Sequence, residues 1–181
     1  MKYYPKQIDQ WVWGKETIIW GDKPDHKYTF KLLEPKVGRQ GMLSLQSHHS
    51  KSESWFQLKG QSWALVITDE KVCTRILKPG DIQNLPTGTI HRLMGLTTDC
   101  QVLEPSTPDA HAADKSVAKD IIRYHCVLGR ETITVEDQKL NSLIQQAISV
   151  SEKAILDIEN GKMPEEINLA ELMGDTGFRL C

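Results

Sequence analysis

From Met1 to about Pro105 the sequence reads as strands, short runs of strand-forming residues separated by turn signals, with no internal repeat. The runs are Lys27–Leu33, Met42–Leu45, Ser54–Leu58, Ser62–Thr68, Val72–Leu77, Ile82–Leu85, Ile90–Met94 and Gln101–Leu103. Gly38, Lys59-Gly60, Asp69-Glu70, Pro79-Gly80, Pro86-Thr-Gly88 and Thr97-Thr-Asp99 punctuate them. No helical period interrupts the series. Many short strands at near-regular spacing, without crossover helices, close into a sandwich or a barrel. Asp120–His125 reads as one further strand, after a Ser/Thr/Pro/Asp/Ala-rich loop from Pro105 to Lys119 whose His111 is expected to be solvated.

The period changes after Glu136. Leu140, Leu143, Ile144, Ala147, Ile148, Ala154, Ile155 and Ile158 recur mostly at three- and four-residue intervals, which predicts an amphipathic helix from Glu136 to Asn160. Asp137 sits near its start, and Gly161 is a C-terminal stop. Pro164 opens a second helical candidate, Glu165–Met173. The chain therefore reads as a mainly β barrel, 1–132, with a helical extension, 133–181, packing on the barrel or on a partner subunit. A length of 181 residues can bury a sizeable core without staples.

The net charge is −2, so no broad basic field invites nucleic acid. No run reaches membrane-spanning length, and MKYYPKQIDQWVWGK has no apolar signal-peptide core. Cys73, Cys100, Cys126 and Cys181 form no C-x-x-C pair, so a cytoplasmic protein with reduced thiols is expected. The five tryptophans read as core or interface residues.

Two segments carry polar residues that strand alternation does not explain. GMLSLQSHHSKSESW, from Gly41 to Trp55, packs Gln46, His48, His49 and Glu53 together, and GDIQNLPTGTIH, from Gly80, ends on His91. Imidazole and carboxylate are the common ligands of divalent metals. Gln46, His48 or His49, Glu53 and His91 would make a mixed nitrogen and oxygen set with one formal negative charge. Such a set suits a Lewis acid working on an oxygen-bearing substrate. Arg92 adjoins His91 on a strand and is expected to face the other way. His26 and His125 sit in no ligand pattern.

The two segments resemble the paired motifs of the cupin superfamily, G-x5-H-x-H-x3,4-E-x6-G and G-x5-P-x-G-x2-H-x3-N. Gly41, Ser47, His49, Glu53 and Gly60 fall at the first set of spacings; Gly80, Pro86, Gly88 and His91 fall at the second, with Gly95 in the asparagine position. The resemblance implies a jelly-roll barrel. Leu43 to Trp55 also resembles the LSLQ-x-HHHR-x-EHW signature of type II phosphomannose isomerases. Val12–Thr17 and Asp120–Arg130 resemble two further segments of that family, so the likeness runs from about Trp11 to Arg130 and leaves out the C-terminal helix. In that alignment the metal ligands are Gln46, His48, Glu53 and His91. Gln46 and His48 are two positions apart and share a strand face, whereas His49 points away unless a bulge turns it inward.

The resemblance implies a metal-dependent isomerase interconverting mannose 6-phosphate and fructose 6-phosphate. The cofactor would be a divalent metal, zinc first, with iron, manganese or nickel as alternatives. Arg123, at the family's D-x-x-R position, is the expected catalytic arginine, and Lys59 and Arg130 are candidates for phosphate binding. A cytoplasmic homodimer is expected. The departures are Ser50 and Lys51 in place of histidine and arginine, Ser54 in place of histidine, His125 and Cys126 in place of an acidic pair, Leu128 in place of tyrosine, and an insertion from Thr107 to Lys119. They leave two other readings. One is a non-catalytic barrel that binds a sugar or small acid; the other is a non-haem iron oxygenase, against which the glutamine ligand argues.

Overall fold

The computed structural model describes residues 7–68 and 70–168. The strands are β1 (Gln7–Trp11), β2 (Gly14–Trp20), β3 (Thr29–Pro35), β4 (Leu45–Ser47), β5 (Glu53–Lys59), β6 (Ser62–Thr68), β7 (Lys71–Leu77), β8 (Ile82–Leu85), β9 (Ile90–Gly95), β10 (Gln101–Ser106) and β11 (Ile122–His125). A one-turn helix, α1 (Ala110–Ala113), precedes β11, and the long helix α2 (Gln138–Glu159) follows it. The strands form two antiparallel sheets that face each other as a jelly roll. One has the order β1-β2-β3-β10-β5-β8 and the other β11-β4-β9-β6-β7.

Side-chain alternation divides the interior in two. Leu33, Trp55, Ala64, Val66, Leu85, Leu93 and Val102 point between the sheets and form the barrel core. Residues of opposite parity, Leu45, Trp63, Leu65, Ile90 and Met94, point outward from the five-stranded sheet, where α2 covers them. Asp137 caps α2, accepting from the Leu140 N–H at 2.7 Å. The buried stripe Ile144, Ala147, Val150, Ser151, Ala154 and Ile155 lies against that face. Both faces of the sheet are thus dry, which is why β6 is buried from Ser62 to Val66. Each large apolar side chain so buried contributes about 1.5–3 kcal/mol. Exposed ion pairs from Arg39 to Glu152, at 2.9 Å, and Glu159, at 3.0 Å, add little.

Several expectations shift. β1 and β2 fall inside the expected strand region but ahead of the first run singled out in it; β1 reads QIDQW, an edge strand too polar to stand out as a strand run. β4 starts at Leu45 rather than Met42, because the 3-10 turn Gly38–Gly41 delays regular pairing. The predicted loop contains α1, capped by the Asp109 carboxylate. Of the second helical candidate, the described part holds a 3-10 turn at Pro164–Glu166; residues 169–173 lie outside the described residues. Cys100 and Cys126 are free, but Cys73 is disulfide-bonded, which corrects the expectation of reduced thiols throughout. No helix among the described residues is long and apolar enough to cross a membrane.

Gly95 occupies the position where asparagine is usual in the second motif. A Cβ built there would lie 2.3 Å from the Lys36 carbonyl oxygen, because Val37 bridges Gly95 directly. A side chain fits only if that backbone moves. Replacing Gly95 by Asn is therefore expected to cost about 2 kcal/mol or more. Thermal unfolding should show a fall in Tm of about 4–8 °C; an unchanged Tm would contradict the close packing.

Candidate metal centre

Three elements deliver three side chains to one point inside the barrel. His48 directly follows β4, Glu53 opens β5 and His91 lies near the start of β9. Gln46 pairs with His91 across β4 and β9, so their side chains share the inward face. Strand parity carries that face on to His48, which is buried, while His49 is exposed. The candidate ligand atoms of His48, Glu53 and His91 all lie within 4.8 Å of one another. His91 Nε2 is 3.2 Å from one Glu53 oxygen, and His48 Nε2 is 3.6 Å from the other. Trp55 packs its ring edge-on to His91 at 5.3 Å between centroids.

The rings are held from behind. His91 Nδ1 meets the Thr89 carbonyl at 2.9 Å, and His48 Nδ1 meets the Asp120 carbonyl. A carbonyl only accepts, so each Nδ1 carries a proton, and each Nε2 is the ring atom turned toward Glu53. Both Nε2 atoms are buried without a hydrogen-bond partner among the described residues. Burial, and then the Lys51 ammonium, push His48 down to about 4, so it is neutral at pH 7. Burial alone would raise the Glu53 carboxyl, but Lys51 and His91 hold it well below the usual range. Two imidazoles and one carboxylate form a donor set that zinc and similar divalent ions accept. Gln46 and His48 line a neighbouring cavity, and Gln46 Oε1 accepts from the Ser44 hydroxyl at 2.6 Å.

Asp120 organises the loop between β4 and β5. Its carboxylate accepts from the N–H groups of His49 (2.8 Å), Ser50 (3.0 Å) and Lys51 (2.9 Å), and from the Ser50 hydroxyl (2.8 Å). Burial opposes its charge, yet the Ser50, His49 and Lys51 donors hold its pKa at about 2. The Lys51 side chain runs inward and ion-pairs with Glu53 Oε2, out of hydrogen-bond alignment, and with Glu104 at 3.4 Å. Beside it Lys31 pairs with Asp109 at 2.7 Å and Glu16 at 3.6 Å. A cavity of about 130 Å³ opens among these groups. The predicted insertion forms one wall through Asp109, His111 and Lys119. His111, expected in solvent, lines this wall and meets the Val117 carbonyl at 2.7 Å.

The predicted arginines and lysine separate. Arg130 reaches the cavity, approaching Ser44 Oγ at 3.4 Å and Cys126 Sγ at 3.2 Å. Arg123 sits opposite Gln46 in the β4–β11 pairing, and its Nε is buried without a hydrogen-bond partner among the described residues. Lys59 lies away from this cavity, 62% exposed and paired with Asp99 at 3.6 Å. Arg92 faces away from His91, as expected, and is buried; it meets His125 Nδ1 at 2.8 Å. Lys51, Lys31, Glu104 and the His48–Asp120 contact were not anticipated as site features. The one available signal was parity, since Lys51 and Glu53 are two residues apart.

These features define a cupin with an interior His-Glu-His cluster. Residues 9–101 match the family described as mannose-6-phosphate isomerase C-terminal, and the chain belongs to that family. Its fold resembles the capsular polysaccharide assembling protein CapF of Staphylococcus aureus, with a TM-score of 0.51 and 16% identity over 67% of this chain and 32% of that one. It also resembles the oxalate decarboxylase of Lactobacillus farciminis, with a TM-score of 0.51 and 15% identity over 65% of this chain and 33% of that one. The chain thus spans about a third of the length of each. None of the curated proteins compared with the chain matches it.

Acid should weaken the metal-free fold. Between about pH 6.5 and 4 the unfolded chain protonates His48 while the folded chain does not, so stability falls as pH drops through that window. Glu53, also depressed, extends the loss in the same direction below the ordinary carboxyl range. Urea midpoints measured with chelator across this range should fall with pH, and His48→Gln should flatten the slope between pH 6.5 and 4. A wild-type slope equal to the variant's would contradict the burial of a neutral His48.

Proposed function

We propose that the protein is a metal-dependent sugar-phosphate isomerase of the mannose 6-phosphate/fructose 6-phosphate type, with zinc as the metal. The observation that carries this reading is the convergence of His48 Nε2, His91 Nε2 and the Glu53 carboxylate, each ring locked through its far nitrogen. Membership of the mannose-6-phosphate isomerase C-terminal family supports the choice of reaction.

His48, Glu53 and His91 would hold the ion, with Gln46 on the same face as the fourth donor. Bound there, a divalent cation supplies Lewis-acid stabilisation for negative charge developing on adjacent substrate oxygens. The chain's own groups bind and orient. Arg130 enters the cavity and offers a guanidinium fork to the phosphate. Arg123, with its unpartnered Nε near Gln46, steadies developing charge. Trp55 and the barrel core behind His91 keep the inner wall dry. Lys59, exposed and ion-paired with Asp99, takes no part in this reading.

A second reading, binding of a small carboxylic acid, is favoured by the size of the cavity. Its volume of about 130 Å³ is below the ~300 Å³ at which most ligand pockets begin. An assay of mannose 6-phosphate and fructose 6-phosphate interconversion on zinc-loaded protein separates the two. Turnover lost with chelator and with His91→Ala is expected. Arg130→Ala should raise KM about 10–100-fold, the loss of a charge-assisted hydrogen bond. No interconversion by protein shown to hold zinc would overturn the isomerase and favour the acid-binding barrel.

A further inference from the structure

Lys51 is a lysine inside a barrel, its side chain only 8% exposed. Lysine is rarely buried without a partner, and this one has two among the described residues. Its ammonium touches Glu53 Oε2 and lies 3.4 Å from Glu104 Oε1. Its backbone is fixed, because the Lys51 N–H donates to Asp120 at 2.9 Å. The rest of the side chain is a flexible four-carbon stem, so the head can move while the base stays.

Glu53 therefore has two claimants. Its Oε1 faces His91 Nε2 at 3.2 Å, and its Oε2 faces both His48 Nε2 at 3.6 Å and the Lys51 ammonium. A dication seated among the three ligands would share that carboxylate with a monocation already in contact with it. Like charges at such range repel strongly away from water. Glu104 offers a way out. It is buried, and among the described residues its one ion pair is with Lys51. The neighbouring Lys31 is held instead by Asp109 at 2.7 Å and Glu16 at 3.6 Å.

We infer that Lys51 is a tethered internal cation that competes with the metal for Glu53, and that loading the site transfers its ammonium to Glu104. The inference rests on reading His48, Glu53 and His91 as a metal centre. Lys51 and Glu104 then set metal affinity in opposite directions. Removing the ammonium frees Glu53 for the metal. Removing the Glu104 charge leaves Lys51 with Glu53 as its remaining ion-pair partner and hinders loading.

The test is calorimetric titration of zinc into chelator-stripped full-length protein, comparing wild type, Lys51→Gln and Glu104→Gln. The expected result is a Kd at least tenfold lower in Lys51→Gln and at least tenfold higher in Glu104→Gln. A buried lysine serving only the fold would give no such opposition. Affinity unchanged or weakened in Lys51→Gln overturns the inference, as does unchanged affinity in Glu104→Gln. Should Lys51→Gln fail to fold without metal, Glu104→Gln carries the test alone. Zinc binding by none of the three proteins overturns the metal-centre reading itself; equal binding by all three overturns only the role of Lys51.

Discussion

Glu53 places a carboxylate inside a jelly roll, and much of the interior answers it. A buried charge of this kind is tolerated only where opposite charge and polar contacts surround it. His48 and His91 approach it from two other strand segments, and Lys51 approaches from its own. The ammonium of Lys51 in turn approaches Glu104, and Lys31 with Glu16 and Asp109 continues the run of alternating charge toward the inserted segment. The same dry surroundings keep His48 neutral. The cost of burying one acid is thus met by a set of groups suited to coordination.

The two sheets serve this interior unequally. The five-stranded sheet supplies His91 and Gln46 on its inner face and carries α2 on its outer face. Arg92, next to His91 but of opposite parity, lies buried on the helix side against His125. His91 is therefore backed by a strand whose two faces are both packed, and its ring position does not depend on a mobile loop.

Much of this was legible in the sequence because it follows from period two. Turn signals bracketed β5 through β9, and parity preferred His48 over His49. A change of period marked α2. Other features leave no periodic trace. β1 is polar and lies at a sheet edge, so it offers no buried stripe to read. Lys51 looks like any solvated lysine until the fold closes over it. Arg130 and Lys59 are alike as isolated basic residues; the barrel places one at the cavity and the other beside Asp99. The hold on His48 comes from a backbone carbonyl, a group every residue carries, so composition could not nominate Asp120.

That hold has a consequence for how the protein is made. Asp120 lies 72 residues beyond His48, and its carboxylate also ties down the loop from His49 to Lys51. Every candidate ligand has been synthesised once His91 has, but the segment that orients His48 has not. The hold on His48 therefore waits for the inserted segment and β11, which lie beyond the last candidate ligand in the chain. A nascent chain carrying both histidine segments would have the ligands without the arrangement.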